Sequence, residues 1–135
     1  MNNTIAQQIV EMQNMVYLRQ LSTAAGGNIS IRDRETVWLT PSGTDKYCLT
    51  PESIAKVNIA TGEASGKRKP SCETAMHLSV YRARSDVNAI IHAHPLYCSV
   101  FSVIDTPLRT DIVSESWILI GKPGYVAGFS PGSSR

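Results

Sequence analysis

The chain has 135 residues, of which 42% are hydrophobic, and this composition is typical of one folded domain rather than a disordered segment. Thirteen Lys and Arg residues against eleven Asp and Glu give a net charge of +2, too small to argue for binding to nucleic acid or an anionic membrane. Three cysteines without a CxxC motif argue against a secreted disulfide framework. We find no signal-peptide pattern and no apolar run near the ~20 residues of a membrane span. We therefore expect a cytoplasmic protein with no nucleic-acid or membrane partner.

The N-terminal segment predicts a helix. Residues 4–20 carry apolar side chains at helical spacing, with Thr4 or Asn3 as the N-cap. The predicted buried face contains Ile5, Ile9, Met12 and Val16. Two adjacent glycines at 26–27 follow, and they indicate backbone that needs a positive φ or approaches something closely.

A β-hairpin and a less regular segment come next. Residues 28–33 alternate between apolar and polar side chains, and residues 36–40 contain the apolar run Val37-Trp38-Leu39, which together predict two strands joined by a tight turn. Pro51 suits the first position of a short helical turn, and residues 56–59 predict a weak strand. We expect a polar loop over 65–69.

The second half of the chain predicts a helix followed by a strand. The helix is expected over 72–84, and its predicted buried face contains Ala75, Met76 and Val80, with Leu78 as a further candidate. Residues 88–95 predict a short buried strand that Pro95 stops. Later segments predict a helix over 96–103, either a helix or a strand over 112–120, a strand over 122–127, and a loop or helix start over 129–135.

Two histidines at the end of the strand over 88–95 give the strongest functional signal. Side chains two residues apart in a strand share a face, so Ile90, His92 and His94 lie together. Neutral imidazoles suit Zn²⁺ and other first-row divalent metals. A hydrogen-bonded pair of histidines gives the same spacing, and the metal stays one of two interpretations. The apolar residues 89–91 before the histidines favour the metal-binding interpretation, because burial of two imidazoles without a partner costs free energy.

The segment 69–73 combines a helix start with a carboxylate. Ser71 can cap the helix, and the first-turn amides then form an anion site, although ordinary capping explains the same residues. Glu73 lies in this turn, where a carboxylate beside a bound cation can act as a ligand or as a general acid or base. We assign His77 a structural hydrogen-bonding role and Cys72 a place in the lining of the pocket.

Two glycine-bearing loops, 26–28 and 42–43, flank strands of the same hairpin. They can therefore lie at one end of it, where backbone amides with Asn and Ser side chains can hold a phosphate. Each loop alone is also explained as an ordinary turn. The helix start at Ser71 would complete such a cradle.

Four motifs together resemble the class II aldolase/adducin family in their order and spacing. They are Gly-Gly-Asn-Ile-Ser-Ile-Arg at 26–32, Leu-Thr-Pro-Ser-Gly-Thr at 39–44, Lys-Pro-Ser-Cys-Glu at 69–73 and Ile-Ile-His-Ala-His at 90–94. The resemblance implies a three-layer α/β/α fold around a central, mostly antiparallel sheet. It also implies one domain over 1–135, the N-terminal portion of the full family domain. Family members continue further and take a third histidine ligand from that later segment, so a fragment or a shortened relative is expected.

The same resemblance implies a function in carbohydrate metabolism. It implies a metal-dependent aldolase, an aldehyde-lyase that cleaves a phosphorylated ketose through a Zn²⁺-stabilised enediolate, in a homo-oligomer. His92 and His94 would hold Zn²⁺ or another divalent metal, with Glu73 as a third ligand or as the proton carrier. The implied phosphate pocket consists of Gly27, Asn28, Ser42, Gly43, Ser71 and Cys72, the last at a position where family enzymes usually have a second serine. The alternatives are an epimerase or another lyase of the family, a non-catalytic adducin-like domain, and a truncated inactive domain.

Overall fold

The computed structural model describes residues 4–126, which divide into one unit up to His94 and another from Pro95 onwards. The first unit contains helix α1 (Ile5–Leu18), strands β1 (Asn28–Asp33), β2 (Thr36–Leu39), β3 (Ala55–Asn58) and β4 (Ala64–Ser65), helix α2 (Thr74–Ala83) and strand β5 (Ala89–His92). Two short 3₁₀ helices, Lys46–Cys48 and Pro51–Ser53, lie between β2 and β3. The second unit contains helices α3 (Leu96–Val103) and α4 (Ser114–Ile120).

The five strands form one sheet in the order β4-β3-β2-β1-β5, and every neighbouring pair is antiparallel. The predicted hairpin is confirmed, since Ser30 pairs with Leu39 and Asp33 with Thr36 around a tight turn. Strand β5 pairs with β1 from Asn28 opposite His92 to Ile31 opposite Ala89. This register places the first of the four sequence motifs, at 26–32, beside the last, at 90–94.

Helix α1 covers one face of the sheet. It begins at a capping box, in which the Thr4 hydroxyl accepts from the Gln7 amide and the Gln7 side chain accepts from the Thr4 amide. Ile9 and Val16 of the helix belong to the same buried cluster as Ile29 of β1. The N-cap and the helix are confirmed.

Helix α2 covers the opposite face. Successive side chains of a strand point to opposite faces, so Val37 and Leu39 lie on the other side of the sheet from Ile29. They form a second buried cluster with Leu78 and Tyr81 of α2. The sheet therefore lies between two helices, which confirms the predicted three-layer arrangement with a central antiparallel sheet.

The buried faces of both helices differ from the sequence prediction. In α1, Met12 is 37% exposed whereas Gln13 is 1% exposed, so the face is rotated by about one position. In α2, His77 and Tyr81 are buried and Ala75 is exposed. A hydrophobicity rule places polar side chains outside, but the crossing of a helix on the sheet decides which side chains face inward.

Strand β5 was predicted to be buried, and that prediction is wrong. It lies at the edge of the sheet, with β1 as its neighbour, and Ile91 is 50% exposed. The apolar run Ala89–Ile91 therefore does not reflect burial on both faces within the described residues.

In the remaining segments the observed secondary structure agrees only in part with the sequence prediction. A two-residue strand, β4, forms at the start of the predicted loop over 65–69 because it pairs with β3. For residues 112–120 the sequence allowed either a helix or a strand, and the structure is helical over Ser114–Ile120. The predicted strand over 122–127 is wrong for residues 122–126, and Ala127 and the segment 129–135 lie outside the described residues. The helices of residues 4–126 include none long and apolar enough to cross a membrane.

We expect Leu39→Ala to destabilise the fold by about 2–5 kcal/mol, because Leu39 is 0% exposed between the sheet and α2. Urea unfolding monitored by circular dichroism measures this loss. Ile91→Ala is the matched control on a half-exposed sheet position, and we expect it to cost clearly less. Equal losses for the two variants would contradict the described core.

Candidate active site

The two histidines of the β5 motif meet at the end of the sheet. His92 is opposite Asn28 in the β1–β5 register and therefore faces α2, together with Ile90. His94 lies two residues beyond, where its backbone amide donates to the carbonyl of Leu21 at 2.9 Å. The two Nε2 atoms are 3.1 Å apart, and the ring centroids are 4.8 Å apart. The predicted convergence of the imidazoles is observed.

The separation of the two nitrogens fits a shared metal ion. Two imidazole nitrogens at about 2.0–2.1 Å from a tetrahedral zinc ion are about 3.3 Å apart. A hydrogen bond between a neutral donor imidazole and its neighbour also fits 3.1 Å. The other ring nitrogen of His92, Nδ1, is buried without a hydrogen-bond partner among residues 4–126. The pair thus suits two ligands of one ion, with His92 held mainly by its backbone.

The electrostatics of the pair favour neutral imidazoles. Burial lowers the pKa of His92 below its ordinary value, and the neighbouring His94 adds to this effect. Glu73 acts in the opposite direction and raises the same pKa, which places its carboxylate within electrostatic reach of His92. A neutral ring is the form that binds a metal.

Glu73 lies at the N-cap position of α2, two residues from its predicted helix cap Ser71. The Glu73 amide donates to the Ser71 hydroxyl at 3.2 Å, so Ser71 organises the turn ahead of the helix. Among residues 4–126, no group of three or more His, Cys, Asp or Glu side chains is placed to hold a metal. The role of Glu73 as a third ligand therefore stays a prediction, as does its role as a proton carrier.

A buried polar network lies beside the histidine pair. His77 is 0% exposed, and its Nε2 contacts the Asn28 side-chain oxygen while its Nδ1 lies 2.7 Å from the Ser30 hydroxyl. The Tyr81 hydroxyl lies 2.8 Å from the same Ser30 oxygen. The predicted hydrogen-bonding role of His77 is confirmed.

The chemistry of the network sets the direction of its hydrogen bonds. The amide oxygen of Asn28 only accepts, so His77 carries its proton on Nε2 and donates it there. The neutral Nδ1 then accepts from the Ser30 hydroxyl. The Tyr81 hydroxyl, 2.8 Å from the Ser30 hydroxyl, donates to the Ser30 backbone carbonyl at 3.1 Å. Burial lowers the pKa of His77 to about 4, which keeps this arrangement neutral. The network holds the Asn28 amide in one orientation next to the histidine pair.

Two of the three predicted phosphate segments lie side by side. The Ser42 amide donates to the Lys69 carbonyl at 2.9 Å, and the Ser71 amide donates to the Thr40 carbonyl at 3.2 Å. Pro41 and Pro70 form a β-bridge between them. The backbone amides of Ser42 and Ser71 are therefore already paired, and a phosphate there would use their hydroxyls or the amides that follow.

The third segment, at Gly27, is fitted closely against the His92 backbone. Gly27 has φ +70°, and a Cβ added to it would lie 2.8 Å from the His92 carbonyl oxygen. A Cβ on Gly26 would lie 3.3 Å from Nδ1 of His94. The predicted close approach of this glycine pair is confirmed, and it brings the loop against both histidines. Its use for phosphate stays a prediction.

Sequence reasoning missed three residues next to this site. Ser30 and Tyr81 complete the buried network, and Lys46 is 3% exposed near the loop after β2. Ser30 occupies an inward position of an alternating strand, which was a usable signal for burial. Nothing in the sequence pattern around Lys46 indicates that a lysine there is buried.

We expect the stability of the protein to fall by about 2 kcal/mol between pH 7 and pH 5 through His77 alone. Its pKa is about 4 when folded and 6.5 ordinarily, so the unfolded chain binds the proton first as the pH falls. Urea unfolding at the two pH values measures the loss. His77→Gln should show a smaller pH dependence by about that amount, and an unchanged dependence would show that His77 is not held neutral.

The chain is similar to known proteins over most of its length. Residues 7–134 match the family model described as Class II Aldolase and Adducin N-terminal domain. An L-fuculose phosphate aldolase from Methanococcus maripaludis is 32% identical over 126 residues, which cover 93% of this chain and 68% of that protein. A methylthioribulose-1-phosphate dehydratase from Klebsiella pneumoniae is 39% identical over 99 residues, covering 73% of this chain and 49% of that protein.

Solved structures show the same fold. An L-fuculose 1-phosphate aldolase aligns with a TM-score of 0.74 at 33% identity, covering 80% of this chain and 52% of that one. YgbL of Escherichia coli aligns with a TM-score of 0.84 at 22% identity, which supports the fold alone. The chain spans about two thirds of the Methanococcus aldolase and about half of the solved aldolase. Because the family model matches nearly the whole chain, this protein belongs to the class II aldolase and adducin family.

Proposed function

We propose that this chain carries the metal and phosphate sites of a lyase that cleaves a carbon–carbon bond of a phosphorylated ketose. The observation that supports this most directly is the 3.1 Å separation of the His92 and His94 Nε2 atoms, with Glu73 within electrostatic reach. Membership of the family supports a lyase-type enzyme. The metal, the bond cleaved and the sugar belong to the proposal.

His92 and His94 would hold the divalent metal, Zn²⁺ or another ion of similar preference. Bound there, the metal supplies Lewis-acid polarisation of the carbonyl and hydroxyl oxygens of the ketose. The lowered pKa of His92 keeps its ring available as a ligand at neutral pH. The close fit of Gly27 against the His92 carbonyl, and the hydrogen bond from the His94 amide to Leu21, hold the two backbones in place.

Glu73 is the proposed proton carrier. When the bond between C3 and C4 breaks, the C4 hydroxyl would lose its proton to solvent and become the aldehyde carbonyl, while the electron pair stays with C3. The protonated Glu73 side chain would deliver a proton to that carbon, and in the reverse direction its carboxylate would remove that proton. Glu73 lies at the N-cap position of α2. The aldehyde that leaves contains C4 and the remainder of the chain.

The phosphate would bind remote from the reacting carbons. The proposed pocket contains Gly27, Asn28, Ser42, Gly43, Ser71 and Cys72. Binding there fixes the orientation of the ketose against Glu73 and the histidine pair. The hydrogen-bonded backbones of the segments at Ser42 and Ser71 support this placement, and Asn28 is oriented by His77. The expected homo-oligomer and cytoplasmic location stay predictions.

A second candidate is elimination of water from a ketose phosphate. The Klebsiella relative is a methylthioribulose-1-phosphate dehydratase, and it shares 39% identity with this chain. Removal of a proton next to a carbonyl starts such an elimination, so Glu73 and the histidine pair would have the same roles. Product analysis separates the two reactions, because cleavage yields an aldehyde and elimination leaves the carbon chain intact.

We expect Glu73→Gln to lower turnover of a ketose 1-phosphate about 10²–10⁴-fold while the protein stays folded, since the amide cannot carry the proton. Steady-state assays with L-fuculose 1-phosphate and methylthioribulose 1-phosphate, with circular dichroism, measure both effects. Glu35→Gln, at an exposed position in the β1–β2 turn, is the control for loss of a carboxylate. Equal turnover in wild type and Glu73→Gln would remove Glu73 from the mechanism.

We expect His92→Ala and His94→Ala each to weaken Zn²⁺ binding about ten-fold or more, because each removes one imidazole ligand. Competition with a chromophoric chelator measures the affinity. Cys48→Ser is the control, since it removes an exposed thiol and leaves both imidazoles in place. Affinity that is equal in all four proteins would mean that the histidines are only hydrogen-bonded, and would favour the non-catalytic, adducin-like alternative.

A further inference from the structure

Lys46 is a buried lysine in the segment after β2. It is the first residue of the 3₁₀ helix Lys46–Cys48 and is 3% exposed, whereas lysine side chains are almost always exposed unless paired. Its backbone amide donates to the Ala24 carbonyl at 2.8 Å, and its Nζ donates to the Pro41 carbonyl at 2.9 Å. The ammonium group is therefore fixed inside the protein.

The ammonium group has no acidic partner in the described part of the chain. The ion pairs of residues 4–126 are Arg84 with Asp86 and Arg109 with Asp111. One carbonyl oxygen is a weak replacement for a carboxylate, and burial lowers the pKa of Lys46 below its ordinary value. The Lys46 ammonium group thus forms no ion pair with an acidic side chain of residues 4–126.

The surroundings of this charge are the loops proposed for phosphate. Pro41, the acceptor of the Lys46 ammonium, precedes Ser42 and pairs with Pro70. Cys72 lies within electrostatic range of Lys46, since a thiolate at that position would raise the pKa of Lys46, against the effect of burial. Lys46 therefore lies where the segment after β2 meets the segment before α2.

We propose that Lys46 supplies the positive charge of the phosphate subsite, an assignment that rests on the proposed function. The proposed pocket residues are all uncharged, whereas a phosphate monoester carries up to two negative charges at neutral pH. A phosphate oxygen beside Lys46 would give the ammonium the counter-charge that the free protein lacks. Its hydrogen bond to Pro41 also holds the backbone that leads into Ser42 and Gly43.

Under this assignment, replacement of Lys46 affects phosphate binding and protein stability to different extents. A buried ion without a partner opposes folding, and the same charge strengthens an anion site. A neutral side chain at position 46 should therefore weaken phosphate binding more than it weakens the fold. If the hydrogen bond from Lys46 to Pro41 had only a structural role, the opposite result would follow. Its loss would lower the free energy of unfolding and leave the response to phosphate unchanged.

The test uses the 135-residue chain with inorganic phosphate as the probe. Thermal unfolding is followed at increasing phosphate against chloride of equal ionic strength, with EDTA present so that phosphate bound to a metal at the histidine pair does not contribute. The variants are Lys46→Met, which removes the charge and the donor, and Lys46→Gln, which removes the charge and keeps an N–H donor. Arg34→Gln is the control, because it removes an exposed positive charge in the turn at the other end of β1.

We expect phosphate to raise the melting temperature of wild type and of Arg34→Gln alike. In the Lys46 variants the half-saturating phosphate concentration should rise about ten-fold or more, as for loss of a charge-assisted contact. Should Lys46→Met fail to fold, Lys46→Gln carries the comparison.

An equal phosphate response in the Lys46 variants and wild type overturns the assignment and leaves the proposed lyase function standing. A wild type that does not respond to phosphate overturns it as well. Lysine-dependent phosphate binding in a chain that turns over no sugar phosphate would support the assignment and contradict the proposed function.

Discussion

The pairing of β5 with β1 is the constraint on which the candidate site depends. Asn28 lies opposite His92, so one register brings the histidine motif, the glycine loop and the buried network to the same end of the sheet. A shift of one residue would turn His92 towards α1 and away from Glu73 and His77. The Gly27 loop protects this register, because its backbone fits against the His92 carbonyl with no room for a Cβ.

Electrostatics in the site follow from burial. His77 and His92 both have lowered pKa values, mainly because burial disfavours their charged forms. For His77 the neutral form lets one tautomer satisfy Asn28 and Ser30 together, so this ring serves orientation rather than proton transfer. His92 differs because its buried Nδ1 has no partner among residues 4–126, while its Nε2 points towards His94. Neighbouring imidazoles on one side of the sheet thus have separate roles.

The relatives of this chain include enzymes named for two different reactions. An aldolase and a dehydratase match 93% and 73% of this chain, and both chemistries can use a proton carrier beside a polarised carbonyl. What distinguishes them is the group that leaves, which depends on the side of the substrate away from the phosphate. In the proposed function, the histidine pair and the phosphate pocket are the features that the two reactions would share.

The amino-acid sequence alone determined the family, the hairpin, the start of α1 and the residues of the histidine motif. These features depend on short-range order: alternation over 28–33, a capping box at Thr4, and glycines where a positive φ is required. Tertiary structure decided the rest. Burial of Gln13 instead of Met12, the edge position of β5, and the enclosure of Lys46 all depend on which distant segment packs against each residue. Local periodicity contains no information on that packing, so the sequence does not indicate that Lys46 is buried in the folded protein.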